Sequence, residues 1–136
     1  MKKTAFILIT IAGLIAFNSC SLTTANFDEL KVCTSLNDGL CDENMPVLSV
    51  NEPFVFASAL LKNASEGTSV TIEWYYYEQG EELFIDAVKL KSAQGTNSLN
   101  SNLSSPDAGF PVGDYEVRFI MDEYPDKSQS IKFKME

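Results

Sequence analysis

Three cysteines and no histidine set the chemistry open to this 136-residue chain. Without imidazole, neither a Ser-His-Asp nor a Cys-His arrangement can be assembled, and the commonest general base near neutral pH is missing. Zinc and copper lose their usual nitrogen ligand as well. No Gly-rich phosphate loop occurs. Among 19 acidic residues many carboxylate pairs exist, but Asp42-Glu43, Glu81-Glu82 and Asp122-Glu123 fall in predicted turns, where acids are solvated. Glycosidase chemistry needs two carboxylates across a cleft, and a small domain offers little depth for one. Asn37, Asp38, Asp42 and Glu43 crowd oxygen ligands together, yet their spacing departs from the EF-hand loop and reads as a polar turn. The expectation is no enzymatic activity, no cofactor and no metal.

The thiols divide into a pair and a single residue. Cys33 and Cys41 bracket a segment containing Asn37-Asp38-Gly39, a tight-turn signal that brings the two sulfurs together. In an oxidising compartment the expectation is a disulfide; a redox-active pair is the alternative, though it usually has Cys-x-x-Cys spacing. Cys20 has a different context. Met1-Lys2-Lys3 is cationic, Ala5–Phe17 is apolar apart from Thr10, and Asn18-Ser19 leads directly to the cysteine. A basic start, an apolar core and a small residue at the cut describe a secretory signal. The run is shorter than the ~20 apolar residues that a bilayer span needs.

With Cys20 immediately after Ser19, residues 1–21 resemble the signal of bacterial lipoproteins. Phe17 and Asn18 stand where that family usually has Leu and Ala or Ser. The resemblance implies removal of residues 1–19 and acyl chains, palmitate among them, on Cys20. Residues 20–28 would then be a lipidated tether, and residues 29–136 the folded domain. Ser21 lacks the aspartate that marks inner-membrane retention in some Gram-negative bacteria, so an outer-membrane address in the cell envelope is implied. Ordinary cleavage after Ala25, with Thr23 and Ala25 as small residues, is the alternative and would release a soluble secreted domain. Losing Lys2 and Lys3 leaves eight basic against 19 acidic residues, which moves the net charge from -9 to -11. Such a field excludes nucleic acid and anionic surfaces as partners and keeps a domain soluble.

The elements that must position these groups are strands. No stretch keeps apolar residues at helical spacing, whereas short alternating runs recur between Gly, Pro, Asn and Asp clusters. They fall at Leu30–Cys33, Pro46–Val50, Phe54–Lys62, Ser69–Tyr77, Leu83–Lys91, Leu99–Ser104, Asp114–Asp122 and Ser128–Met135. Glu78-Gln79-Gly80-Glu81 reads as a hairpin turn, and Lys132 and Lys134 suit an edge strand. About seven such strands predict an all-β, antiparallel sandwich. Trp74 in TIEWYYY and Gly113-Asp114-Tyr115 make the region from about residue 45 to residue 136 resemble the immunoglobulin-like domains of bacterial surface proteins. The resemblance implies a tryptophan buried between sheets and a tyrosine hydroxyl closing a corner at Tyr115.

Alternation also places Tyr75 and Tyr77 opposite Trp74, and Phe54 and Phe56 opposite Val55 and Ala57. Four aromatics on the outer side of one sheet would form a platform for stacking sugars or for burial in a partner; burial under another segment is the alternative. The expected function is a non-enzymatic envelope lipoprotein, held to the membrane by its lipid, whose domain binds another envelope protein or serves envelope structure. The alternative is a carbohydrate-binding module that takes a glycan on Phe54, Phe56, Tyr75 and Tyr77.

Overall fold

A computed structural model of the chain describes residues 23–136. Cys20 and the signal-like segment lie outside the described residues. Eight strands form in chain order: β1 (Asn26–Cys33), β2 (Val47–Leu48), β3 (Phe54–Ala64), β4 (Ser69–Glu78), β5 (Glu81–Lys91), β6 (Gly95–Ser104), β7 (Gly113–Met121) and β8 (Gln129–Met135). They build a three-stranded sheet ordered β1-β3-β6 and a five-stranded sheet ordered β2-β8-β7-β4-β5. The expected all-β, immunoglobulin-like sandwich is what the chain adopts. It is antiparallel except at β2, which shrinks to two residues and runs parallel to β8.

The order follows from short-range rules first. Gln79 and Gly80 both take positive φ (49° and 80°), which closes a two-residue hairpin between β4 and β5 with the twist adjacent strands need. At Ser65–Thr68 the chain instead crosses from β3 in one sheet to β4 in the other. Inward residues then meet: Val55, Ala57, Ala59 and Leu61 of β3 face Ile72, Trp74, Val117 and Phe119, all essentially without exposure.

The domain starts earlier than the expected tether boundary at residue 28. Ala25 is 0% exposed and Phe27 2%, and Phe27 packs on Phe119 with ring centroids 5.9 Å apart. The alternation was hidden by a bulge. Glu29 takes φ 52° and the pairing with β3 shifts between Asp28 and Lys31, so inward positions change from Ala25 and Phe27 to Val32. An extra residue that reverses strand parity leaves no simple period in the sequence.

Trp74 ties the two layers together, and Tyr115 fixes a corner of the five-stranded sheet. The Trp74 ring meets Phe133 edge-on at 6.2 Å, and its Nε1–H donates to Ser101 Oγ of the facing sheet at 2.9 Å. Tyr115 stacks on Phe133 at 5.2 Å, and its hydroxyl donates to the Pro111 carbonyl at 2.7 Å, the corner implied by the fold resemblance.

Burial pushes the Tyr115 phenol up to about 12 from an ordinary 10. The folded chain therefore keeps this proton in a window where the unfolded chain gives it up. Stability should be intact below pH 10 and fall as pH rises from 10 toward 12. Tyr115→Phe should flatten that alkaline decline in urea titrations, although it removes a buried hydrogen bond and costs about 1 kcal/mol at neutral pH.

Candidate functional site

Cys33 ends β1 and Cys41 lies beyond a tight turn, with Asp38 and Gly39 at φ 51° and 78°. Asn37 and Leu40 exchange two backbone hydrogen bonds of 2.8 and 3.1 Å across that turn. The two sulfurs form the expected disulfide. The loop folds over the outer face of the three-stranded sheet, where the Ser58 hydroxyl accepts the Cys41 N–H at 2.8 Å and Asn100 Nδ2 donates to the Gly39 carbonyl at 3.0 Å. Both cysteines are 4% exposed. A bridge closing so short a loop contributes about 2.5 kcal/mol on the chain-entropy estimate. Cys33→Ser with Cys41→Ser should lose about that much in urea unfolding while the strands persist in circular dichroism. Among the described residues, no group of three Cys, Asp or Glu side chains is arranged to hold a metal ion.

The four aromatics do not share a sheet. Phe54 and Phe56 belong to β3 and face outward from the three-stranded sheet, whereas Tyr75 and Tyr77 belong to β4 and face outward from the five-stranded sheet. The sandwich separates the two pairs, so the single platform expected from alternation is corrected to two faces. Both pairs keep the outward parity that alternation predicts, but their strands lie in different layers. Phe54 is 44% exposed, tilted against the half-buried Phe56 at 6.1 Å.

The Tyr75–Tyr77 face carries the denser chemistry. Neighbouring β7 contributes Glu116 and Arg118, paired in register with Tyr75 and Glu73. Arg118 reaches the carboxylates of both Glu116 and Glu82, and its guanidinium lies 4.0 Å above the Tyr75 ring. Tyr77 donates toward Glu116 at 3.3 Å, and Lys132 of β8 sits 5.7 Å from the Tyr77 ring. Glu116 is only 5% exposed, so this carboxylate is a desolvated charge held by its cationic neighbours. Tyr75 also donates to Glu73, and that bond first, with burial second, raises its phenol above the ordinary value.

At the margin of the same face, Phe84 of β5 meets Tyr75 edge-on at 5.8 Å and is 59% exposed. Leu83 and Ile85 are exposed beside it. Near the opposite end of β4, Asp122 accepts from Ser69 at 2.6 Å and Thr71 at 2.8 Å, with Lys89 at 3.6 Å. Burial pushes its carboxyl up, but these hydrogen bonds and the lysine together hold it below the usual range.

Three of these residues could not be placed from the sequence. Alternation in β7 already set Glu116 and Arg118 on one face, but not beside Tyr75. Phe84 was hidden by the register shift between Trp74 and Tyr75, which leaves Ile85 as an extra residue between Phe84 and Asp86. The hairpin turn at Gln79-Gly80 was the usable signal, since it fixes Tyr77 opposite Glu82 and Tyr75 opposite Phe84.

An open groove of about 1030 Å³ continues this face toward the hairpin end, between Pro46, Val47, Tyr76, Tyr77, Lys132 and Lys134. Gly113 permits its shape: φ is 142°, and a Cβ there would lie 3.0 Å from the Tyr76 ring. The Tyr76 hydroxyl closes the end by donating to the Val112 carbonyl at 3.0 Å.

The chain matches no known protein family, and no curated protein is similar to it in sequence.

Proposed function

We propose that this chain is a non-enzymatic lipoprotein of the cell envelope, whose immunoglobulin-like domain binds another protein through the outer face of its five-stranded sheet. The observation that carries the binding role is the cluster of Tyr75, Tyr77, Phe84 and Arg118 on one accessible face. Tyrosine, phenylalanine and arginine are the residues enriched where partners are gripped. An ion-paired network around a buried carboxylate holds them in place before a partner arrives, which lowers the entropic cost of association.

The anchor rests on Cys20 and on where the domain begins. Ala25 is fully buried, its N–H is held by Thr23 Oγ1 at 3.0 Å, and Lys127 donates to the Thr23 carbonyl at 2.9 Å. Cleavage after Ala25 would remove a core residue and these bonds, so processing before Cys20 is favoured over release of a secreted domain. The three residues from Cys20 to Thr23 span at most about 10 Å, so the lipid would hold the domain close to the headgroups. The outer membrane is the favoured address if the cell is Gram-negative.

A glycan is the less favoured ligand. Sugar stacking needs an open ring face, and the Arg118 guanidinium covers one face of Tyr75 at 4.0 Å while Phe54 and Phe56 lie on the other sheet.

Labelled fatty acid should enter the wild type and not Cys20→Ala; equal labelling would remove the anchor from this reading. Capture of a partner from native envelopes should fall about tenfold or more for Tyr75→Ala with Phe84→Ala, and stay unchanged for Phe54→Ala. Retention on polysaccharide that disappears in Tyr75→Ala would instead favour the glycan.

A further inference from the structure

Sheet margins are liabilities, and most margins in this fold carry devices that discourage a visiting strand. On β1 these are the bulge after Asp28 and Lys31. The β2 margin is two residues long, and the part of β8 that β2 leaves uncovered carries Lys132. On β5 they are the bulge at Ile85, Asp86 in register with inward-facing Trp74, and Lys89 and Lys91.

The margin at β6 differs. Its ten residues, Gly95–Ser104, include no charge and no proline. From Asn97 to Ser104 it pairs with β3 without a break in register. Among the described residues no backbone–backbone hydrogen bond joins it to anything but β3. Leu99 and Leu103 point into the core, whereas Ser98, Asn100, Asn102 and Ser104 are exposed.

The strand is also a palindrome. Ser98-Leu99-Asn100-Ser101-Asn102-Leu103-Ser104 reads the same in both directions. Antiparallel pairing about a two-fold axis sets residue i against a partner whose number makes a constant sum, and both members of each pair must lie on the same face. An axis through Ser101 satisfies this and places each residue opposite its own kind. Leu99 meets Leu103, Asn100 meets Asn102, and Ser98 meets Ser104.

We propose that a second copy of this chain docks on β6, antiparallel and centred on Ser101, joining two three-stranded sheets into one of six. Charge restricts where two copies can meet. Two copies of a domain with 19 acidic residues repel one another over most of their surfaces, and β6 is a strand along which they can meet with no like charges opposed. The paired leucines extend each core across the junction, and the paired asparagines hydrogen-bond on the outer side. A contact of one strand per copy lies at the small end of protein interfaces, so the dimer should be reversible and concentration-dependent.

Sedimentation of the full chain in detergent should show this equilibrium for the wild type. Ser98→Lys combined with Ser104→Lys sets lysine against lysine twice across the junction, and should raise the dissociation constant about tenfold or more. Mixing that variant with Ser98→Glu plus Ser104→Glu should restore a one-to-one pair, an outcome that a misfolded variant could not produce. A wild type that stays monomeric at every attainable concentration would overturn the proposal, and would leave β6 to a strand from a different protein. Both charged variants dimerising as well as the wild type would overturn it too.

Discussion

Trp74→Ala should lose about 3–5 kcal/mol of folding stability. The indole is 1% exposed, lies edge-on to Phe133 at 6.2 Å, and bonds across the sandwich to Ser101 at 2.9 Å. Truncation removes the ring, opens a cavity between two sheets that cannot collapse independently, and strands the Ser101 hydroxyl. Because this is the chain's one tryptophan, the transition should be followed by circular dichroism. Trp74→Phe separates the contributions: it keeps an aromatic ring against Phe133 and loses the hydrogen bond, so it should lose less than half as much. Equal losses for the two variants would place the stabilisation in the Ser101 bond rather than in packing.

Arg118→Ala should lose about 3 kcal/mol, more than an exposed ion pair contributes. The reason is what it leaves behind. Glu116 is 5% exposed, and without the guanidinium its cationic neighbour is Lys132 at 4.0 Å. A desolvated carboxylate deprived of its main partner costs more than the pair contributed when intact. Adding Glu116→Gln to Arg118→Ala should therefore recover a large part of the loss, since the neutral amide tolerates that site better. Strict additivity of the two substitutions would show that they do not share one network. The same logic explains why Tyr75 and Phe84, rather than Arg118, are the residues to alter when binding is tested: their removal leaves no buried charge.

Much of the architecture is legible in the sequence, and what is legible is local. Ser69–Tyr77 alternates strictly, so the inward set Val70, Ile72, Trp74 follows without knowledge of neighbours. Asn37-Asp38-Gly39 between two cysteines specifies a turn and a bridge, because both depend on residues a few positions apart. The corner at Tyr115 is likewise closed by a carbonyl four positions upstream.

What could not be read depends on pairing at a distance. Phe54–Leu61 and Ser69–Tyr77 are successive strands, and successive strands often neighbour one another. Here the four-residue crossing at Ser65–Thr68 sends them to opposite layers, so a platform shared by Phe56 and Tyr75 cannot form. Two bulges hid the rest. Each inserts one residue, at Glu29 in β1 and at Ile85 in β5, and each exchanges inward for outward positions beyond it. Phe27 therefore falls within the expected tether and Phe84 within no expected site, although both are large aromatics whose surroundings follow once the register is known.

The most direct test of the binding role is photo-crosslinking in living cells, with a photoreactive residue placed in turn at Glu73 and at Phe54. These positions lie on the outer faces of the two different sheets. A discrete adduct with another envelope protein from position 73, and none from position 54, is the predicted result. An adduct only from position 54, or none from either, would contradict it.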